Sequence, residues 1–287
     1  MRTPDLAHPP RARFAKGHAT GNDFVLLPDP DGELVLTPEL VRAICDRRFG
    51  IGGDGVLRVV RAAKHPEGAR YAGQAEWFMD YHNADGSLAE MCGNGVRVYA
   101  RYLAESGLAT GPAFALATRS GVVSVRIPAD AGEDGLISVD LTRPVVGPAS
   151  AARFAGRTYP GTSCSVGNPH LVCPVPDVST VDLSGPPELD PAVFPESANV
   201  ELVTPVEGPE PRVRMRVYER GSGETLSCGS GACAAAAVLL QQAGQGDGRV
   251  VIDVPGGQLR LRLEGERCEL TGPAVIVADG ELRLSAE

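Results

Sequence analysis

The 287-residue sequence has no apolar run approaching the ~18 residues that span a bilayer, and no block of basic residues. With a formal net charge of -9 it offers nothing to a polyanion, which excludes nucleic acid and an anionic membrane as partners. Aromatic residues make up only 5%, with a single Trp, so the core must be built from Val, Leu, Ile and Ala. No C-x-x-C pair gives the spacing of a structural zinc site, and there is no Walker lysine. The first residues, MRTPDLAHPPRAR, lack the apolar core of a signal peptide and carry an acid, so residues 1–12 read as a disordered tail. Seven cysteines, an odd count without a secretion signal, suggest the reduced thiols of a cytoplasm.

What the chain has in quantity is turn formers. Thirty-five Gly and 24 Pro favour many short strands, and the length suits two domains of ordinary size. Thr37-Pro38 followed by apolar residues at helical spacing predicts a helix to Arg48. Asn94–Ser106 and Ala232–Ala243 also read as helices. Val96, Tyr99, Tyr102 and Leu103 share one face of the first, and Arg97, Arg101 and Glu105 another. Runs such as 57–61, 76–82, 122–127, 136–141, 171–175, 213–217, 249–254, 259–263 and 275–277 read as strands, and 149–160 and 174–195 as surface connections.

One device occurs twice. Cys92-Gly-Asn-Gly95 and Cys228-Gly-Ser-Gly231 stand 136 residues apart, each opening a helix, with Asn83 and Glu219 each nine residues upstream. A repeat this long means two copies of one domain rather than a solenoid. A helix N-terminus offers unpaired N–H groups and a positive dipole end, which would lower a thiol pKa there. Flanking glycines let the same N–H groups approach a carboxylate. Two facing thiols suit a reaction in which a proton leaves one face of a carbon and returns to the other, one sulfur acting as base and one as acid. The remaining cysteines, Cys45, Cys164, Cys173, Cys233 and Cys268, read as small buried hydrophobes. Taken singly, His170 reads as a turn histidine and Glu219 as part of a solvated charge pair; beside the thiols they would adjust the thiol pKa values. A zinc site of Cys92, Cys228, Cys233 and His170 is a weak alternative. So is dinucleotide binding at Gly50-x-Gly52-x-x-Gly55, which follows a helix instead of a strand.

At Gly21-Asn-Asp-Phe24, Asn83-Ala-Asp-Gly-Ser87, Cys92-Gly-Asn-Gly95, Gly167-Asn-Pro-His170, Asn199, Tyr218-Glu-Arg-Gly221, Gly223-Glu-Thr225 and CGSGACA from Cys228, the chain closely resembles the diaminopimelate epimerase family. The resemblance implies an α/β fold of the α+β type with two pseudo-symmetric domains. Each is a curved, mostly antiparallel sheet around a central helix, and the active site lies in the cleft between them. The expected division is 13–140 and 141–272, with 273–287 returning to the first domain. The activity implied is cofactor-independent epimerisation of LL- to meso-diaminopimelate, with no metal. Cys92 and Cys228 would be the base and acid. Gly93, Asn94, Gly229 and Ser230 would hold the reacting carboxylate, and Asn22 and Asn168 would contact the reacting end. Asn83, Asn199, Glu219 and Arg220 would read the distal end, while His170 and Glu219 would tune the thiols. The resemblance allows a homodimer. Two positions depart from a common family pattern. Gly55 stands where many members have glutamine, removing a side-chain contact with substrate, and Ala278 stands where many have a tyrosine associated with the dimer contact. Rival readings are a proline racemase or hydroxyproline epimerase and, outside catalysis, an amino-acid-binding module.

Overall fold

The computed structural model describes residues 11–109, 111–127 and 135–283. The first half of the chain forms β1 (Arg11–Ala19), β2 (Asn22–Pro28), α1 (Pro38–Cys45), β3 (Gly55–Arg61), β4 (Trp77–Asn83), α2 (Gly93–Glu105), β5 (Ala113–Thr118), β6 (Gly121–Arg126) and β7 (Leu136–Thr142). The second forms β8 (Val145–Phe154), β9 (Arg157–Ser165), β10 (Pro169–Pro174), β11 (Glu188–Leu189), β12 (Asn199–Pro205), β13 (Arg212–Glu219), β14 (Gly223–Thr225), α3 (Gly229–Gln242), β15 (Gly248–Val254), β16 (Gly257–Glu264) and β17 (Arg267–Pro273). A last strand, β18 (Val275–Arg283), follows.

Strand pairing shows the duplication directly. In the first half the neighbours run β18, β1, β2, β3, β4, β5, β6, β7. In the second they run β8, β9, β10, β12, β13, β15, β16, β17. The ladder types match step for step: parallel at β2–β3 and β4–β5, parallel again at β10–β12 and β13–β15, and antiparallel elsewhere. The two halves join where β7 pairs antiparallel with β17, which are equivalent strands. Parallel neighbours need a crossover, and α2 and α3 are the crossovers of β4–β5 and β13–β15. The C-terminal β18 pairs with β1, taking in the first half the place that β8 takes in the second.

Both crossover helices are sheathed by sheet. Val96, Tyr99 and Leu103 of α2 and Ala232 through Val238 of α3 share one core with strands of both halves. The alanine run is what lets strands close tightly round α3, and it explains why that helix has almost no polar face. A second core lies under β8, β10 and β12, where Phe154, Leu171, Val178, Leu183 and Phe194 pack together.

The structure corrects several expectations. Residues 149–160 are not a surface connection but most of the β8–β9 hairpin. Its two-residue turn uses Ala155 and Gly156 at φ 45° and 79°, the twist that hairpins favour, without the usual Asn-Gly signature. Residues 174–195 include β11 and bury Val178, Val181, Leu183 and Phe194. Helix α1 starts as expected, with Thr37 Oγ1 accepting from the Leu40 N–H at 3.2 Å, but stops at Cys45. There Asp46 draws the N–H groups of Arg48 and Phe49 into a turn, each at 2.7 Å. Of the tail expected over 1–12, residues 1–10 lie outside the described residues, and Arg11 and Ala12 open β1.

Leu270 on β17 sits where the halves meet, facing Val139 of β7 and Leu261 of β16, with no exposed surface. Replacing it with Ala should cost about 2–5 kcal/mol, read as a lower urea midpoint with an unchanged slope. A shift below ~1 kcal/mol would mean that this junction does not hold the halves together.

Candidate active site

The strand registers assign residue equivalents between the halves. Phe24 lies opposite Gly55, and His170 opposite Asn199. Val56 lies opposite His82, and Val200 opposite Tyr218, which makes Asn83 and Glu219 equivalent. Counting back two residues from Phe24 and His170 pairs Asn22 with Asn168. The preceding Gly21 and Gly167 both adopt positive φ, 85° and 88°, to turn the chain into the strand. Most of the residues singled out in the sequence are therefore one set seen twice.

Cys92 and Cys228 are the N-cap residues of α2 and α3, both in extended conformation. The two helix starts abut. A Cβ on Gly229 would lie 3.6 Å from Gly93 Cα, in ordinary contact, and 3.3 Å from Leu270 Cδ2, where the leucine side chain would have to give slightly. Cys228 Sγ accepts from the Gly231 N–H at 3.4 Å and lies 3.4 Å from Ser230 Oγ. The Cys92 thiol points to Asn22 Oδ1 at 3.7 Å.

Asn22, Asn83, Cys92, Gly93, Asn94, Asn168, Asn199, Glu219, Cys228, Gly229 and Ser230 all line one cavity of about 370 Å³, together with Tyr81, Ser120, Val166 and Ser227. An adjoining outer cavity of about 830 Å³ shares Asn22, Tyr81, Asn83, Cys92 and Glu219 and is lined further by Arg220, Arg47 and Asp54. Asn199 Oδ1 accepts from the Arg220 N–H at 2.9 Å, which ties the two walls. His170 does not reach the cavity. It is wholly buried behind Asn168, with Nε2 3.1 Å from Asn168 Oδ1 and Nδ1 2.7 Å from Glu201 Oε1. No group of three or more His, Cys, Asp or Glu among the described residues is arranged to hold a metal, so the zinc alternative has no ligand set. The Gly50–Gly55 loop serves α1 and the wall of the outer cavity: Gly53 N–H donates to Cys45 O, and Asp54 accepts from Asn22 Nδ2 at 2.7 Å and from Arg47 at 2.8 Å.

Arg97 is the largest departure from the sequence reading. It was expected on a polar face with Arg101 and Glu105, yet it is wholly buried. Its guanidinium donates to Asn94 Oδ1 at 2.8 Å and to Gly93 O and Thr20 Oγ1 at 3.3 Å each. Asn94 Nδ2 in turn donates to Ser227 O and Asn22 Oδ1, both at 3.2 Å, and the Thr20 hydroxyl donates to Ser227 Oγ at 2.7 Å. Through Asn94 and Thr20 this buried side chain links the start of α2 to Ser227 of the second half. The sequence carried a signal: aligning the two Cys-Gly-x-Gly motifs puts Arg97 against Cys233, a position read as buried.

The thiols were expected to have lowered pKa values. In the free protein the opposite holds. Burial pushes Cys228 well above the usual thiol value, and the carboxylates of Glu219 and Glu201 push it further than the Ser230 and Gly231 hydrogen bonds pull it back. Cys92 is also raised, by burial first, with the Gly95 and Asn94 N–H groups and the Arg97 charge acting against it. Burial likewise raises Glu219, although Thr225 donates to its carboxylate at 2.5 Å. Arg97 itself is brought down by burial to about 10.

Solved structures share this fold. A phenazine biosynthesis protein of the PhzF family from Bacillus anthracis superposes with a TM-score of 0.69 at 17% identity, covering 95% of this chain and 99% of that one. A hydroxyproline epimerase from Agrobacterium vitis, solved with trans-4-hydroxy-L-proline, gives 0.67 at 14%, covering 96% and 93%. At these identities the likeness defines a class by fold alone, that of duplicated α+β proteins with two similar halves. Sequence comparison narrows it. The Diaminopimelate epimerase family matches residues 14–146 and 162–281. Proteins named diaminopimelate epimerase from Thermobifida fusca, Streptomyces coelicolor and Corynebacterium glutamicum are 53%, 49% and 47% identical. They cover 96%, 94% and 94% of this chain and 99%, 95% and 98% of their own lengths. The chain belongs to the diaminopimelate epimerase family.

The raised thiols make a prediction. With iodoacetamide at pH 7 and no ligand, labelling of both Cys92 and Cys228 should lag that of free cysteine and rise as the pH passes 9, with Cys92 ahead of Cys228. Peptide mass spectrometry against pH reads this. Fast labelling of Cys228 at neutral pH would show that the helix end outweighs burial.

Proposed function

We propose that the protein epimerises LL-2,6-diaminopimelate to meso-diaminopimelate, for lysine and peptidoglycan precursor synthesis, using its own two thiols and no cofactor. The observation that carries this reading is the pair of thiols, one from each half, at abutting helix N-termini on one cavity. Membership of the family supplies the substrate. One sulfur, as thiolate, takes the α-proton. The negative charge left on the substrate spreads into its carboxylate, where the N–H groups of Gly93, Asn94, Gly229 and Ser230 receive it. The other thiol then delivers its proton to the opposite face. The thiolate has moved from one helix to the other, and the reverse reaction uses the same groups with roles exchanged.

The remaining assignments follow the cavity walls. Asn22 and Asn168 contact the reacting end, while Asn83, Asn199, Glu219 and Arg220 read the distal head. Glu219 adjusts Cys228 directly, and His170 does so from behind Asn168. A substrate with two zwitterionic heads suits a wall of neutral amides and one arginine, because these amides would be left unpaired by an amino acid lacking the second head. We take the domains as 13–140 with 273–287, and 141–272; the pairing of β18 with β1 supports the return of the chain end. The seven free cysteines support a cytoplasmic setting. No helix among the described residues is long and apolar enough to cross a membrane. A homodimer would find apolar surface at β18, where Val275 and Val277 are exposed.

The test is α-proton exchange in deuterated water, under reducing conditions, with LL-diaminopimelate and L-proline in parallel and chiral separation of products. Deuterated meso product should form from diaminopimelate alone, and Cys92→Ala and Cys228→Ala should each lower net epimerisation at least ~10³-fold. No exchange by folded, reduced wild-type protein would leave an amino-acid binder. Gly229→Ala should leave the protein folded but lower kcat, by less than the ~10²-fold of a 1 Å misplacement, because its methyl must displace Leu270 Cδ2 by a few tenths of an ångström and fills the space beside Gly93. Full activity in that variant would remove the close approach from the mechanism.

A further inference from the structure

At Gly55, on β3 next to the cavity-lining strand β4, the two halves differ in kind. Its equivalent is Asn199, which lines the inner cavity and carries an amide. Glycine at 55 presents no side chain at all. The explanation lies one strand over. Leu57 pairs with Tyr81 on β4, and the equivalent Glu201 pairs with Val217 on β13, so Tyr81 stands where the second half has a valine. A Cβ on Gly55 would fall 2.7 Å from Tyr81 Cε2 and 2.5 Å from His82 O. Glycine at 55 is therefore required by the β4 backbone at His82 as well as by Tyr81 in its present placement. One half supplies Asn and Val; the other supplies Gly and Tyr.

Tyr81 is held firmly. Its ring meets Phe24 edge-on at 5.7 Å and 82°, and its carbonyl accepts from Arg119 Nη1 at 2.9 Å and from the Ala89 N–H at 3.1 Å. The side chain is 8% exposed, and it borders both the cavity that holds the thiols and the outer one that holds Arg220. Burial first, and then the neighbouring ionisable groups of Cys92, Asp54 and Glu219, push the phenol pKa up, so its hydroxyl stays neutral among acidic groups. Such surroundings favour a cationic partner over an anionic one.

We propose that Tyr81 is a specificity-determining contact for the substrate, its phenol oxygen accepting from the distal ammonium and replacing the side chain absent at Gly55. The proposal rests on the epimerase reading above. Arg220, on the outer cavity, is left to the distal carboxylate.

The test uses the whole enzyme. Tyr81→Phe, near-isosteric and checked for folding by circular dichroism, should raise KM for LL-diaminopimelate about tenfold or more, with kcat within a few-fold of wild type. Its inhibition constant for 2-aminopimelate, which lacks the distal amine, should not move. Tyr81→Val, which copies the residue of the second half, should lose affinity further. An unchanged KM in Tyr81→Phe would overturn the proposal, as would a loss confined to kcat. An equal loss with 2-aminopimelate would overturn the ammonium assignment. If wild-type protein exchanges no α-proton of diaminopimelate, it is the epimerase reading that fails.

Discussion

The approach of the α2 and α3 N-termini to van der Waals contact at Gly93 and Gly229 is the constraint that organises this molecule. Each helix start carries roughly half a positive charge, and like ends repel. Arg97, wholly buried, adds a full charge beneath them. The fold tolerates this because the sheets bury both helices, and because Arg97 is matched by oxygen atoms from Gly93, Asn94 and Thr20 rather than by a counter-charge. What results is a point between the halves with N–H groups from two directions. A carboxylate placed there lowers the energy of the whole arrangement, which is why binding and catalysis can draw on the same geometry.

The duplication gives two thiols, but the halves do not give them the same surroundings. Phe24 and Leu57 lie on strands next to the start of α2, close to Gly95. Their equivalents next to α3 are His170 and Glu201, both without exposed surface, and Glu201 crowds Gly231 so closely that a Cβ there would fall 2.6 Å from its Oε1. A wholly buried His–Glu pair costs desolvation energy that the other half shows the fold can avoid. It is retained on one side only, behind Asn168 and beside Cys228. The two sulfurs therefore differ in charge environment although their backbones are alike, a difference that the proposed acid and base roles would use.

The sequence made the duplication legible because the features that mark it are local: a cysteine, two glycines and a helix stop at nearly equal spacing. The α2 and α3 starts and most strands followed from periodicity. Three features did not. The β8–β9 hairpin escaped because its strands carry small and polar residues on exposed faces and turn on Ala155-Gly156, which lacks a recognisable signature. Arg97 looked like a surface residue because an i, i+4 partner, Arg101, does reach outward to Glu105 at 3.8 Å. Helical periodicity alone does not show that sheet closes over one residue of that stripe; the alignment of Arg97 with Cys233 does. Tyr81 was passed over because its meaning depends on Gly55, its neighbour across the β3–β4 ladder and distant in sequence.

The direction of the thiol shifts shows why motif reasoning alone falls short at this site. A cysteine at a helix N-terminus is a sound reason to expect a stabilised thiolate when the sulfur is partly solvated. Here the same close packing that brings the helix ends together removes water from Cys228, and the desolvation outweighs two weak hydrogen bonds to sulfur at 3.4 Å. Nearby carboxylates act in the same direction. On the proposed mechanism the substrate's own α-ammonium would add positive charge beside the sulfurs, so that one geometry keeps the thiols protonated in the free protein and lets ligand charge favour a thiolate.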